Sequence, residues 1–287
     1  GAYGRDSDRA RNDSCDCERS CIRLATHECS WIKTVEALIM SIEDYVSAQQ
    51  KNLESIKKLP HFSSLGQLVN DLYELACRLV PRNLPPHYGK FLLLCHKSFL
   101  SALTLIGQAQ PEDAAAITRR AIEMARLALA VKTNQENATN WLAFEKRMAR
   151  WRDREEDIKP KTFSPKYDLP KDHLVMNALE KHLGILSDSY IHFTPEFFGN
   201  QDWIHNNTGI KLEYFTSDQR TIERELIALT GIHASILRIL DECFDRALFA
   251  SSDWTRLWDT LHRDGVKLAE PFAPSNSPAP PHDTSLE

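Results

Sequence analysis

From Trp31 onward the apolar side chains recur every three or four positions. Trp31, Val35, Leu38, Ile42 and Tyr45 fall on one row that resumes at Ile56, and Ile32, Ile39, Val46 and Leu53 form a parallel heptad row. This is the period of an α-helix with one apolar face. Residues 15 to 59 hold neither glycine nor proline, so the pattern predicts an unbroken helix over Ile32 to Lys57, roughly 40 Å long at 1.5 Å per residue. That length exceeds what a small core needs. The helix is expected to pack lengthwise, within the bundle or on a second copy of the chain. Helical periodicity returns at about 64–80, 88–107, 112–132, 138–156, 171–192, 217–249 and 252–263. Gly107 stops the second of these, Pro111-Glu-Asp makes a favourable first turn for the third, and Thr216-Ser-Asp-Gln219 has capping-box spacing.

The sum of these elements is an all-α, multi-helix bundle with a long N-terminal helical arm. The loop PRNLPPHYG at 81–89 is the clearest internal break, dividing an arm over 15–80 from a main bundle over 88–263. Residues 1–14 and the Pro- and Ser-rich tail 264–287 lack periodicity and are expected to be disordered. One exception to helix is expected: Asn207-Thr-Gly, between two mixed apolar runs, can turn a short β-hairpin near 203–215. The runs between helices are too short for a parallel sheet, which excludes doubly wound and barrel enzymes.

Composition narrows the function classes. With 42% apolar residues in 287 positions the chain can bury a sizeable core. Thirty-five basic against forty acidic side chains give a net charge of -5, which argues against a surface wholly adapted to nucleic acid. The stretch 145–171 has nine Lys and Arg interleaved with Trp151, Phe163 and Tyr167, but six acids leave it only +3. A solvated helix face with i to i+4 pairs, Arg152 and Glu156 among them, is its simplest reading. The start is polar, and no stretch approaches the roughly 18 uncharged apolar residues that cross a bilayer, so a soluble, cytoplasmic protein without membrane contact is expected.

Four cysteines and a histidine crowd the segment DSCDCERSCIRLATHEC at 13–29. Cys15, Cys17, Cys21, His27 and Cys29 are the residue types zinc takes. On a continuous helix, however, Cys21 and Cys29 stand about 12 Å apart along the axis, whereas ligands of one zinc lie within about 4 Å of each other. The helix reading prevails, and neither metal nor cofactor is expected. A half-site of Cys17 and Cys21, completed by another element or subunit, is the alternative. Seven cysteines, an odd number, do not suggest a disulfide framework. Cys77, Cys95 and Cys243 fall in apolar helical patterns, where a free thiol behaves as a small hydrophobe.

No phosphate-binding loop, dinucleotide fingerprint, zinc-protease motif, nucleophile elbow or kinase signature is present. Arg82-Asn-Leu-Pro-Pro-His87 does fit the R-x(4–6)-H pattern of HEPN-type helical ribonucleases, although Arg256 to His262 fits as well. In that family the Arg and His act together on the scissile phosphate, usually in a composite site across a dimer, and the pair sits at a helix. Two prolines before His87 place it here in a loop. A polar inlay in two apolar helices is more informative. Arg120 and Glu123 lie beside the alanine stripe of 112–132, and Asp188 and His192 share a face of 171–192. Buried charges need partners, so these four are expected to meet across the bundle as a hydrogen-bonded cluster, either fixing register or lining a site for a small anionic ligand or an RNA phosphate. His233, on the seam of Ile222, Leu226, Leu229, Ile236 and Leu240, reads as a core histidine.

CHKSFLSALTLIGQAQPEDAAAITRRAIE and LGILSDSYIHFTPEFFG resemble segments of uncharacterised bacterial all-α proteins loosely grouped near the HEPN-like helical bundles, over roughly residues 90 to 205. The resemblance implies a fold and no activity. The leading expectation is a non-enzymatic binding or assembly module, self-associating as a homo-oligomer through the N-terminal helices. The alternative is a metal-independent ribonuclease of the HEPN type, in a toxin or phage-defence setting.

Overall fold

Prolines open three of the helices, each at the first helical position, where the missing N–H costs nothing. These are α2 (Pro60–Leu79), α3 (Pro86–Gly107) and α4 (Pro111–Thr133). The computed structural model describes residues 40–155, 169, 172–190, 203–206, 209–212 and 215–272. The remaining elements are α1 (Ile42–Ile56), α5 (Gln135–Arg152), α6 (Leu174–Tyr190), α7 (Gln219–Cys243), α8 (Ser252–Ala269) and a short 3-10 turn, Glu270–Phe272. A two-stranded antiparallel hairpin pairs β1 (Trp203–Asn206) with β2 (Gly209–Leu212), Trp203 opposite Leu212 and Asn206 opposite Gly209. The molecule is thus an all-α bundle with the hairpin as its only described strands.

α3 and α4 form the central pair, joined by the tight Gln108–Gln110 turn in which Ala109 takes φ 63°. Phe91, Leu92, Cys95, Phe99, Ala102 and Ile106 give α3 its buried face. α4 answers with small residues, Ala114, Ala121, Ala125 and Ala128, which let the backbones approach closely. α7 lies across both and also touches α2, α6 and α8. Its buried seam runs Ile222, Leu226, Leu229, His233, Ile236 and Leu240, the row expected from the sequence. α6 covers α4 with Met176, Leu179, Leu183 and Leu186, and α8 covers α2 and α7 with Trp254 and Leu261. α3 is long and apolar enough to cross a membrane, but ten of its residues are buried in this core.

The domain boundary expected at 81–89 is corrected. Leu65, Val69, Leu72, Tyr73 and Ala76 of α2 have no exposed surface, so α2 belongs to the main bundle rather than to an arm. A proline-rich loop breaks a helix in the same way whether it joins domains or two helices of one core. The long helix over Ile32–Lys57 is corrected too. Its described part begins only at Ile42, because Ser41 is an N-cap whose hydroxyl accepts from the Asp44 amide at 3.1 Å. At α7 the cap is Asp218, accepting from the Arg220 amide at 3.0 Å, and not Thr216. The helix expected over 217–249 ends at Cys243, and α8 continues past the expected 263 to Ala269. Cys95 and Cys243 are buried free thiols, whereas Cys77 faces solvent, on the side of α2 turned away from the core.

Candidate functional site

Arg82 and His87 are not united. Arg82 is exposed in the connection between α2 and α3. His87 stands in the first turn of α3, not in a loop, because Pro85 caps that helix and Pro86 opens it. Its side chain is only 3% exposed, packed 4.4 Å from the Tyr88 ring and 6.0 Å from that of Phe91. Neither ring nitrogen has a hydrogen-bond partner, and burial holds the imidazole below its ordinary pKa. The two side chains thus face different surroundings, Arg82 the solvent and His87 the core.

Of the polar inlay, the described half lies on α4. Arg120 is exposed, and Glu123, half-buried, pairs with Arg119 one turn away at 2.9 Å. The side chain of Asp188, and His192 altogether, lie outside the described residues, as do the cysteines and histidine at 15–29. An ionic contact does join the two helices, farther along α4: Arg126 to Glu180 of α6 at 2.9 Å. The helical wheel set Arg120 beside the alanine stripe without saying on which side of it the partner helix packs.

Two buried polar groups that the periodicity only partly disclosed are structural. The Tyr73 hydroxyl and His233 Nδ1 are 2.8 Å apart in the centre of the bundle. His96 stacks on Tyr73 at 5.0 Å, and its Nε2 bonds Asn70 Oδ1 at 2.9 Å. Burial pushes His233 down to about 3, with His96 adding to the shift, so the imidazole is neutral and bonds as a fixed dipole. At the end of α7 the buried Asp241 accepts from the Leu248 amide at 2.8 Å and the Phe249 amide at 3.4 Å. It thereby holds a turn in which Asp245 and Arg246 both take positive φ. Around it His173 bonds Glu242 at 2.8 Å and Lys132 bonds Asp245 at 2.6 Å. Among the described residues no group of three or more His, Cys, Asp and Glu could hold a metal ion.

The candidate site is therefore a surface, the outward side of α1. Its inner side is fixed to the bundle by polar contacts: Gln49 donates to Gln110 at 2.8 Å, Asn52 donates to the Gln108 carbonyl at 3.3 Å, and Gln110 donates to the Tyr45 hydroxyl. Tyr45 also packs on Phe215, ring centres 5.2 Å apart. Farther along, Ile56 is buried. Ile42 and Val46, at the start of the same helix, are 79% and 52% exposed and share an open face with Glu43, Ser47, Gln50 and Lys51. Val46 and Leu53 belong to one heptad row, so the row parts company along the helix. No family model, no curated protein and no solved structure matches the chain.

Proposed function

We propose that the protein is a non-enzymatic helical assembly module that self-associates through α1. One observation carries this reading: Ile42 and Val46 project into solvent from a helix whose other side is already tied to its own bundle. Two adjacent branched apolar residues on a rigid support supply the apolar centre of an interface, and the polar residues around them supply its rim. The Arg82–His87 pair offers no comparable support for phosphodiester chemistry, because its histidine is turned into the core.

Light scattering on the full chain tests the proposal. The wild type is expected at about twice the 32.8 kDa chain mass, and Ile42→Asp with Val46→Asp at the chain mass, with unchanged helical content. A wild type that stays at the chain mass at high micromolar concentration overturns it. Cleavage of single-stranded RNA that is lost in His87→Ala would replace it with the ribonuclease reading.

A further inference from the structure

α7 and α8 leave a gap between them. It is a groove of about 200 Å³ whose walls include Ile227, Thr230 and Gly231 on one side and Trp258, Gly265 and Val266 on the other. Small residues on packed helices usually serve close approach, but these do not. A Cβ added at Gly231 or at Gly265 would meet nothing within 4 Å. The glycines keep the groove open, and the apolar atoms lining it lack the neighbours that a close-packed interior supplies. Val266 is 51% exposed along it. Trp258 makes a fixed flat wall, set against Phe249 at 5.1 Å and stacked on the buried Trp254 at 6.3 Å.

The chain leaves α8 at one end of this groove, which Ala269 lines. After α8 the Glu270–Phe272 turn folds over the start of α7, where Arg220 donates to the Pro271 carbonyl at 3.4 Å and its guanidinium stands 5.6 Å from the Phe272 ring centre. Pro271 and Phe272 line a second depression with Leu226 and Ile227. Ile227 borders both depressions, so the two are neighbours on the surface of α7. The residues that follow Phe272 read APSNSPAPPHDTSLE, with prolines at 274, 278, 280 and 281. Such a segment favours the polyproline II conformation, which makes no internal hydrogen bonds and seats its rings against aromatic-lined grooves. Lengths agree. From Ala269 back to Trp258 the groove follows about 16 Å of helix at 1.5 Å per residue. At about 3.1 Å per residue, Pro278 to Pro281 lie roughly 19 to 28 Å of extended chain beyond Phe272.

We propose that the groove between α7 and α8 is a docking site for an extended proline-rich segment, and that its occupant is this chain's own residues 274–281, running from Phe272 past Ile227 to Trp258. The proposal stands apart from assembly through α1, which uses a different helix. A labelled peptide of residues 273–287 tests it on two full-length proteins, the wild type and a variant with all four tail prolines changed to serine. The variant is expected to bind the peptide, and the wild type to bind it at least about tenfold more weakly, because a tethered segment competes at high effective concentration. Adding Trp258→Ala to the variant should abolish binding. Gly265→Leu, which fills the groove where the structure has room, should do the same if Trp258→Ala lowers the melting temperature. A serine variant that ignores the peptide, equal binding by the two proteins, or binding that survives Gly265→Leu overturns the proposal.

Discussion

Asp241 shows how one side chain can hold an irregular stretch of backbone. Its carboxylate gathers two amides from a turn with two consecutive positive-φ residues, a conformation that costs about 1–3 kcal/mol per residue and persists only when its surroundings hold it. Asp241→Ala leaves one buried and one part-buried amide without an acceptor and is expected to destabilise by about 2–4 kcal/mol in urea unfolding. Asp241→Asn keeps an acceptor oxygen and should cost markedly less; equal losses would show that the charge, not the acceptor, matters. Burial raises the Asp241 carboxyl, so its titration favours the folded state at low pH and that contribution fades as pH rises above the ordinary carboxylate range. At this scale the sequence was readable where a residue sat in the middle of a periodic row. His233 is the case in point, flanked by Leu229 and Ile236 on the buried seam. It was misleading at row edges and ends. Arg120 adjoins the alanine stripe yet faces water, and His87 follows two prolines that could equally mean a loop or the opening of a helix.

Helix α1 meets the bundle at a point where a side chain fits only if its neighbours shift. A Cβ at Gly107 would lie 2.8 Å from Leu53 Cδ1 and 3.0 Å from Phe62 Cζ. Gly107→Ala is therefore expected to lever α1 away, costing about 1–3 kcal/mol as other overpacked sites do. Hydrogen exchange should quicken in the amides of 42–56 while those of α3 and α4 stay protected. Unchanged exchange in α1 would mean that Leu53 simply turns aside. The elements that periodicity placed well, 88–107 and 112–132, carry punctuation at their ends in Gly107 and Pro111. The start of α1 carried a weaker signal. Ser41 interrupts an apolar row that continues on either side of it, and a cap depends on local backbone geometry that the row cannot report. The membership of α2 in the core was hidden for another reason: besides its neighbour α3 it packs on α7 and α8, which lie far along the chain, and periodicity says which face is buried but never against what.

Three histidines, His87, His96 and His233, are held below the ordinary imidazole range chiefly by burial. The unfolded chain protonates them near pH 6.5 and the folded one does so lower, His233 only near 3. Their contribution to stability is thus complete above about pH 6.5 and is lost as pH falls through the window below it. His233 alone accounts for a slope of about 1.4 kcal/mol per pH unit there. Urea titrations at pH 7, 6 and 5 should show that decline, and His233→Gln should flatten it; an equally steep decline in the variant would sink the assignment. The Tyr73–His233 contact also joins residues 160 positions apart, and this bears on how the protein is made. α2, α3 and α4 can pack on one another as they leave the ribosome, but the faces of all three that α7 covers stay bare until α7 has been translated. Nascent chains stalled before Cys243 should therefore be cut quickly by protease and should call on chaperones, whereas chains released after α8 should resist, so that protection during synthesis arrives in one late step.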